Sequence, residues 1–232
     1  MLSLKHVTAG YSEVPVLINL TLRLAQNEVL GVLGRNGAGK STLVKSVMGL
    51  IPHVSGDIEF RGASVRGRRT HQIARSGLAL IPQGRWIFHR LSVLENLVTG
   101  CRGSKQDTQR SLQLVYDYFP VLADRTRQMG GTLSGGEQQL LAIGRALCSR
   151  PKVLLLDEPS DGVQPNTVEK LAEVIPNICR EIGVSAILVE QNLDLVMSVA
   201  SRCVVLSRGE VVFEGKPSVA SDVLQFESHL SL

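Results

Sequence analysis

The sequence predicts an α/β protein built around a mixed, mainly parallel sheet. Three observations predict it. Glu28 to Leu33 and Val153 to Leu156 are short, nearly continuous apolar runs, the pattern of strands buried on both faces. Each leads straight into a distinctive turn motif. Between the second run and a third at Val184 to Glu190, the residues Val168, Leu171, Ile175, Ile178 and Ile182 recur at helical spacing.

The remaining elements follow in chain order. Leu2, Leu4 and Val7 mark one face of a first strand, and Ile18 to Leu24 alternates apolar and polar residues as a half-buried second strand does. These two form an N-terminal β region. After the buried run at Glu28 to Leu33 come a glycine-rich turn and a helix from Lys40 to about Met48. Pro176 is expected to kink or interrupt the later helix, because it removes a backbone donor and crowds the preceding turn. Cys203 to Leu206 is another strand, and Val204 to Phe213 reads as a hairpin turning at Arg208-Gly209. From Trp86 to Ala146 the patterns are helical, with Leu112, Val115, Tyr116 and Phe119 on one helical face and no convincing buried strand. The expected organisation is one domain: an α/β core from 1–85 and 147–232, with 86–146 inserted as a helical subdomain.

Composition narrows the class. Of 232 residues, 44% are hydrophobic and 20% charged, and Lys plus Arg exceed Asp plus Glu by 25 − 21 = +4, a balance that implies neither nucleic acid nor membrane binding. No apolar run approaches the roughly 20 residues that span a bilayer, and Met1 to Thr8 has no apolar core of a secretion signal. Cys101, Cys148, Cys179 and Cys203 make no C-x-x-C pair, so they read as reduced thiols. Arg61 to Arg75 holds five arginines and no acid, and reads as a solvated face or loop, with contact to an anionic partner as the alternative.

Three motifs carry chemistry. Gly34-Arg35-Asn36-Gly37-Ala38-Gly39-Lys40-Ser41 is G-x-x-x-x-G-K-[ST] between a buried strand and a helix, the context that gives this pattern its meaning. Its glycines let backbone N–H groups curl around phosphate oxygens, and the helix start adds partial positive charge. Lys40 is placed to reach the β- and γ-phosphates of ATP, Ser41 to hold Mg²⁺, and Thr42 continues the phosphate cradle. Asp157 and Glu158 end the strand Val153 to Leu156, with Asp157 directed to the Mg²⁺ shell through water and Glu158 placed to orient or activate the attacking water. Leu133-Ser134-Gly135-Gly136-Glu137 precedes a helical stretch, Gln138 to Leu147, and is a second helix N-terminus able to accept an anion; read blandly, it is a helix start with Ser134 as N-cap.

Leu-Ser-Gly-Gly-Glu between a P-loop and an Asp-Glu strand end resembles the ABC ATPases over essentially the whole chain. The resemblance implies a P-loop NTPase core with an N-terminal antiparallel β subdomain and an inserted α-helical subdomain. It also implies that Leu133 to Glu137 close over the ATP held by a second ATPase subunit, so that one chain cannot complete a site. It places Tyr11 against the adenine and Gln83 at Mg²⁺ and water, joining the core to the helical subdomain. Ile87, Phe88 and Leu91 are candidates to line a groove that receives a helix of a membrane partner, or else to fill the helical core.

Two positions depart from the common family pattern. Gln191 stands where a switch histidine is usual, able to donate a hydrogen bond but not to carry charge, and Gln164 stands where an aspartate is usual. Neither removes Lys40, Asp157 or Glu158, so hydrolysis is expected. Val189-Glu190-Gln191 and Gly136-Glu137-Gln138-Gln139 resemble the shorter ATPase of importers for branched-chain amino acids, amides and urea, and Pro82 to Phe88 and Gly162 to Pro165 look closest to the amide and urea side of that branch. That branch implies a heterodimer of ATPases (a homodimer in isolation), two transmembrane permease subunits, an indirect link to a solute-binding protein, no nucleic acid, and a peripheral place on the cytoplasmic face of the membrane. The favoured solute is a branched-chain or other hydrophobic amino acid or an amide, with urea the nearest rival. The rivals of another class are a non-transport ABC ATPase acting on nucleic acid or in complex assembly, and a module that binds nucleotide without hydrolysing it. No sustained heptad lies between Lys40 and Leu133, and only one P-loop is present, which disfavours the first. The intact acid pair disfavours the second.

Overall fold

A computed structural model describes residues 1–231. The elements run β1 (Leu2–Gly10), β2 (Leu17–Leu24), β3 (Val29–Leu33), α1 (Lys40–Val47), β4 (His53–Phe60), β5 (Ala63–Ser64), α2 (Thr70–Ser76), β6 (Leu78–Ile81), α3 (Val93–Gly100), α4 (Lys105–Tyr118), α5 (Pro120–Asp124), α6 (Gly135–Cys148), β7 (Val153–Asp157), α7 (Pro165–Ile182), β8 (Ser185–Glu190), α8 (Leu193–Val199), β9 (Arg202–Ser207), β10 (Glu210–Gly215) and α9 (Ala220–Ser231).

Two sheets form. The larger has the order β10-β9-β3-β8-β7-β6 and is parallel except for the β9–β10 hairpin; the smaller, β2-β1-β4-β5, is antiparallel. Alternate residues of the central strands face two cores. Val29, Leu33, Leu154, Leu156, Ala186 and Leu188 join one core with α6, α7 and α8, while Leu30, Val32, Val153, Leu155, Ile187 and Val189 join the other with α1 and the small sheet. This is why those strands are apolar throughout. The hairpin turns at Arg208 (φ 48°) and Gly209 (φ 85°), two left-handed residues whose twist suits a tight antiparallel connection.

The structure bears out one expectation by an irregular route and corrects others. The odd spacing of Leu2, Leu4 and Val7 is accommodated by a register shift in β1, where His6 takes φ 52°, so all three side chains stay buried. In β2, Asn19 at φ 48° breaks the alternation, leaving Ile18 40% exposed while Leu17 and Leu20 point inward. Helix α7 is not interrupted at Pro176, since its buried face of Leu171, Val174, Ile175, Ile178 and Cys179 holds both halves on the core. Strands β4, β5 and β6 and helix α2 lie in a stretch where no element was expected; the five arginines from Arg61 to Arg75 are nonetheless all exposed. Between β6 and β7 the regular elements of the described residues are helical, as expected.

Within that helical stretch, Val115 and Phe119 are buried and Leu112 and Tyr116 pack against them. Asn96 is fully buried and satisfied: its Oδ1 accepts from Phe88 N and its Nδ2 donates to the carbonyls of Phe88, Leu91 and Ser92. That network fixes the segment leading into α3. All four cysteines are free thiols, and burial pushes Cys179 and Cys203 up to about 12.

Candidate functional site

The turn from Gly34 to Gly39 joins β3 to α1. Gly37 (φ 78°) and Gly39 (φ 108°) adopt backbone that other residues resist, and a Cβ at Gly34 would meet the Leu206 carbonyl at 2.5 Å. The cap of α1 is Gly39, with no side chain on the first N–H groups, so they stay directed at the cleft. The cleft has a volume of about 220 Å³ and is lined by Asn36, Gly37, Gly39, Lys40, Ser41, Thr42, Gln83 and Glu158, with Val16 at its edge.

Lys40 donates to the carbonyls of Gly34 (2.7 Å) and Arg35 (3.1 Å) and lies 3.0 Å from Glu158 Oε1. Glu158 itself sits at φ 48°, a strained position for a non-glycine residue, held where its N–H donates to the Val189 carbonyl at 2.9 Å. Its other oxygen accepts from Gln83 Nε2 at 3.2 Å, and Gln83 also donates to Asp161 at 3.1 Å. Gln191 Nε2 donates to Asn36 Oδ1 at 2.8 Å and to Glu158 Oε1 at 3.2 Å. The glutamine in the switch position thus reaches both the phosphate loop and the acid.

Asp157 accepts from Ser41 Oγ at 2.9 Å through Oδ1; its buried Oδ2 has no hydrogen-bond partner among the described residues. Burial, the dominant effect, raises its acid above the usual carboxylate range, with Ser41 opposing. An orphaned carboxylate oxygen beside a serine hydroxyl at the floor of a phosphate cradle fits a hard cation taken through water.

The second motif is elsewhere. Ser134 caps α6, its Oγ accepting from Glu137 N at 3.3 Å while the Glu137 carboxylate accepts from Ser134 N at 2.8 Å, a reciprocal capping box. A Cβ at Gly136 would lie 2.1 Å from Thr167 Oγ1, so a larger residue would force the Thr167 side chain or the start of α6 to shift. Ser134, Gly135, Gly136 and Glu137 line a cleft of about 570 Å³ with Gly162, Gln164 and Lys170, and none of the residues lining the phosphate cleft takes part. Leu133 is buried beneath it.

Some placements were not legible. Arg85 donates from Nη2 to the Gly162 carbonyl at 2.7 Å and packs on Gly135, tying the start of α6 to the loop after Glu158; Asp161 is the second partner of Gln83. A loop arginine and a loop acid carry no sequence signal for such roles. Tyr11 is 53% exposed after β1 and does not line the phosphate cleft, although its loop ends at Val16, which does. The expected groove residues divide. Ile87 is core and Leu91 does not line the groove, whereas Phe88 does so with Trp86, Met48, Leu50 and Arg145 around about 630 Å³.

A glycine-rich cradle with Lys40 and Ser41 after β3, faced by Asp157 and Glu158 at the end of β7 two strands away in the same parallel sheet, defines a P-loop nucleotide hydrolase. The chain belongs to the ABC transporter family and is an ATPase of that family: the family model described as ABC transporter matches residues 17–161. It is 42% identical over 213 residues to the high-affinity branched-chain amino acid transport ATP-binding protein BraG of Pseudomonas aeruginosa, covering 91% of each chain. It is 32% identical to the probable branched-chain amino acid transport ATP-binding protein LivF of Archaeoglobus fulgidus, covering 98% of this chain and 95% of that one. In fold it resembles a nucleotide-free ATP-binding cassette from an ABC transporter, with a TM-score of 0.86 at 22% identity and coverage of 98% and 95%. No helix among the described residues is long and apolar enough to cross a membrane.

Proposed function

We propose that this chain binds and hydrolyses ATP to drive an importer for branched-chain or other hydrophobic amino acids or amides. The observation that carries the hydrolytic part is Glu158, held at the mouth of the phosphate cradle by Lys40, Gln83 and Gln191. The solute class rests on the likeness to BraG.

In this reading, phosphate oxygens take the place of the carbonyls and carboxylate that Lys40 now contacts. Glu158 accepts a hydrogen bond from the attacking water and takes its proton as the water oxygen bonds to the γ-phosphorus and ADP leaves. Gln191 donates toward the γ-phosphate and keeps Glu158 in place. Ser41, Gln83 and, through water, Asp157 would hold Mg²⁺, which supplies positive charge to the phosphate oxygens. Tyr11 would stack on the adenine. Leu133 to Glu137 serve the ATP of a partner ATPase, since their cleft is separate from the phosphate cleft of the same chain.

Residues 86–146 act as a helical subdomain on a core of 1–85 and 147–232. The groove with exposed Trp86 and Phe88 at their junction receives a permease segment. The assembly is a pair of ATPases with two permeases and, indirectly, a solute-binding protein, placing this chain on the cytoplasmic face of the membrane without nucleic acid.

The test is Glu158→Gln in the assembled transporter, with uptake of labelled leucine, an aliphatic amide and urea measured side by side. Loss of ATP turnover with nucleotide binding kept, and leucine or amide uptake in the unmodified transporter, is the expected result. Unchanged turnover would sink the hydrolytic roles, and uptake of urea alone would overturn the solute class.

A further inference from the structure

Glu190 ends β8, one residue before Gln191, and is 2% exposed. None of the ion pairs among the described residues includes it. Its carboxylate instead gathers backbone donors: Oε1 accepts from Ser160 N at 2.8 Å, and Oε2 accepts from Gln191 N at 3.1 Å and Asn192 N at 3.4 Å. A buried carboxylate without a cation is unfavourable unless such donors surround it. Burial raises this acid, while the N–H groups of Ser160, Asn192 and Gln191 and the Ser160 hydroxyl oppose the rise.

The donors belong to two different loops. Ser160 lies in the loop that follows Glu158 and contains Asp161; Gln191 and Asn192 start the loop that contacts the P-loop through Asn36. The first loop also contributes Gly162 and Gln164 to the cleft of Ser134. One rigid, buried side chain therefore joins the backbone beside the hydrolytic acid to the backbone beside the phosphate donor. An apolar residue of the same size would fill the space but leave these N–H groups unpaired.

We propose that Glu190 is a positioning residue that locks the loop after Glu158 to the loop bearing Gln191, and so sets the 3.2 Å contact between Gln191 and Glu158. The tie also couples the cleft of Ser134 to the phosphate cleft within one chain, because displacing Gly162 and Gln164 pulls on Ser160. The inference rests on the hydrolytic role of Glu158 given above.

Glu190→Gln keeps the volume but turns an NH₂ toward one set of backbone donors. The expected result is a fall in kcat of about tenfold or more with the KM for ATP within about twofold. In the same variant the amides of Ser160 and of Gln191 exchange with solvent together, each about tenfold faster or more. Glu190→Asp, with both acceptor oxygens on a shorter stem, recovers part of the turnover; if Glu190→Gln does not fold, the same two readouts on Glu190→Asp against the unmodified chain decide the matter. Turnover within about twofold of the unmodified chain, a rise in KM with kcat unchanged, or faster exchange in only one loop would overturn the inference. If the unmodified chain, assembled with its partner ATPase and the permeases, does not hydrolyse ATP, the hydrolytic reading fails by itself, and the exchange pattern still decides whether Glu190 ties the loops.

Discussion

Lys40 and Glu158 form an ion pair of 3.0 Å with side chains only 4% and 9% exposed. The acid therefore competes with phosphate for the lysine of the cradle. Removing its charge in Glu158→Gln is expected to lower turnover by about 100-fold or more and to tighten ATP binding, read by calorimetric titration. Weaker binding would show that the pair helps rather than opposes nucleotide entry. Lys40→Met leaves Glu158 with only its amide donors, at a stability loss of about 3 kcal/mol. Nucleotide binding is lost with it.

Gln191 donates to Glu158 Oε1 from an uncharged amide. Gln191→Ala removes one donor and is expected to reduce kcat by about 100-fold. Gln191→Glu sets a second carboxylate against Glu158, and repulsion between them turns the acid away. Steady-state kinetics should rank Gln191→Glu as slower than Gln191→Ala; the reverse order would remove Gln191 from contact with Glu158 in the working state.

Ser134 does two separable things. As the cap of α6 it is worth about 1 kcal/mol, so Ser134→Ala should lower the melting temperature by only about 2–4 °C. As an anion donor to the partner's nucleotide it should be needed for turnover at that nucleotide. Mixed dimers carrying the substitution on one side only will lose hydrolysis at one of the two sites.

Trp86 is 72% exposed, and Phe88, half exposed, stacks beneath the Arg145 guanidinium at 5.1 Å. Neither supports the phosphate cleft. Trp86→Glu combined with Phe88→Glu is expected to leave the ATPase activity of the ATPase dimer without permeases within about twofold, since surface changes are near neutral. Co-purification with the permease subunits is expected to vanish. Retained co-purification would move the docking site off this groove.

Much of the site was legible because phosphate chemistry dictates both residue type and contiguous spacing. Gly34 to Ser41, Asp157-Glu158 and Leu133 to Glu137 can each be read from a few adjacent letters. The buried strands β3, β7 and β8 announced themselves because both their faces meet a core. The four residues of β6 and the half-exposed β4 did not, having too little apolar pattern to stand out. Nor did the shifts at His6 and Asn19, which depend on the partner strand.

What the sequence by itself determined is the phosphate cradle, its acids and the family. Only the tertiary structure decided that Gln83 meets Asp161 across 78 residues, that Arg85 meets Gly162 across 77, and that Glu190 reaches Ser160 across 30. The physical reason is that a motif is local, whereas a buried polar group takes its partner from whichever loop the packed strands bring beside it.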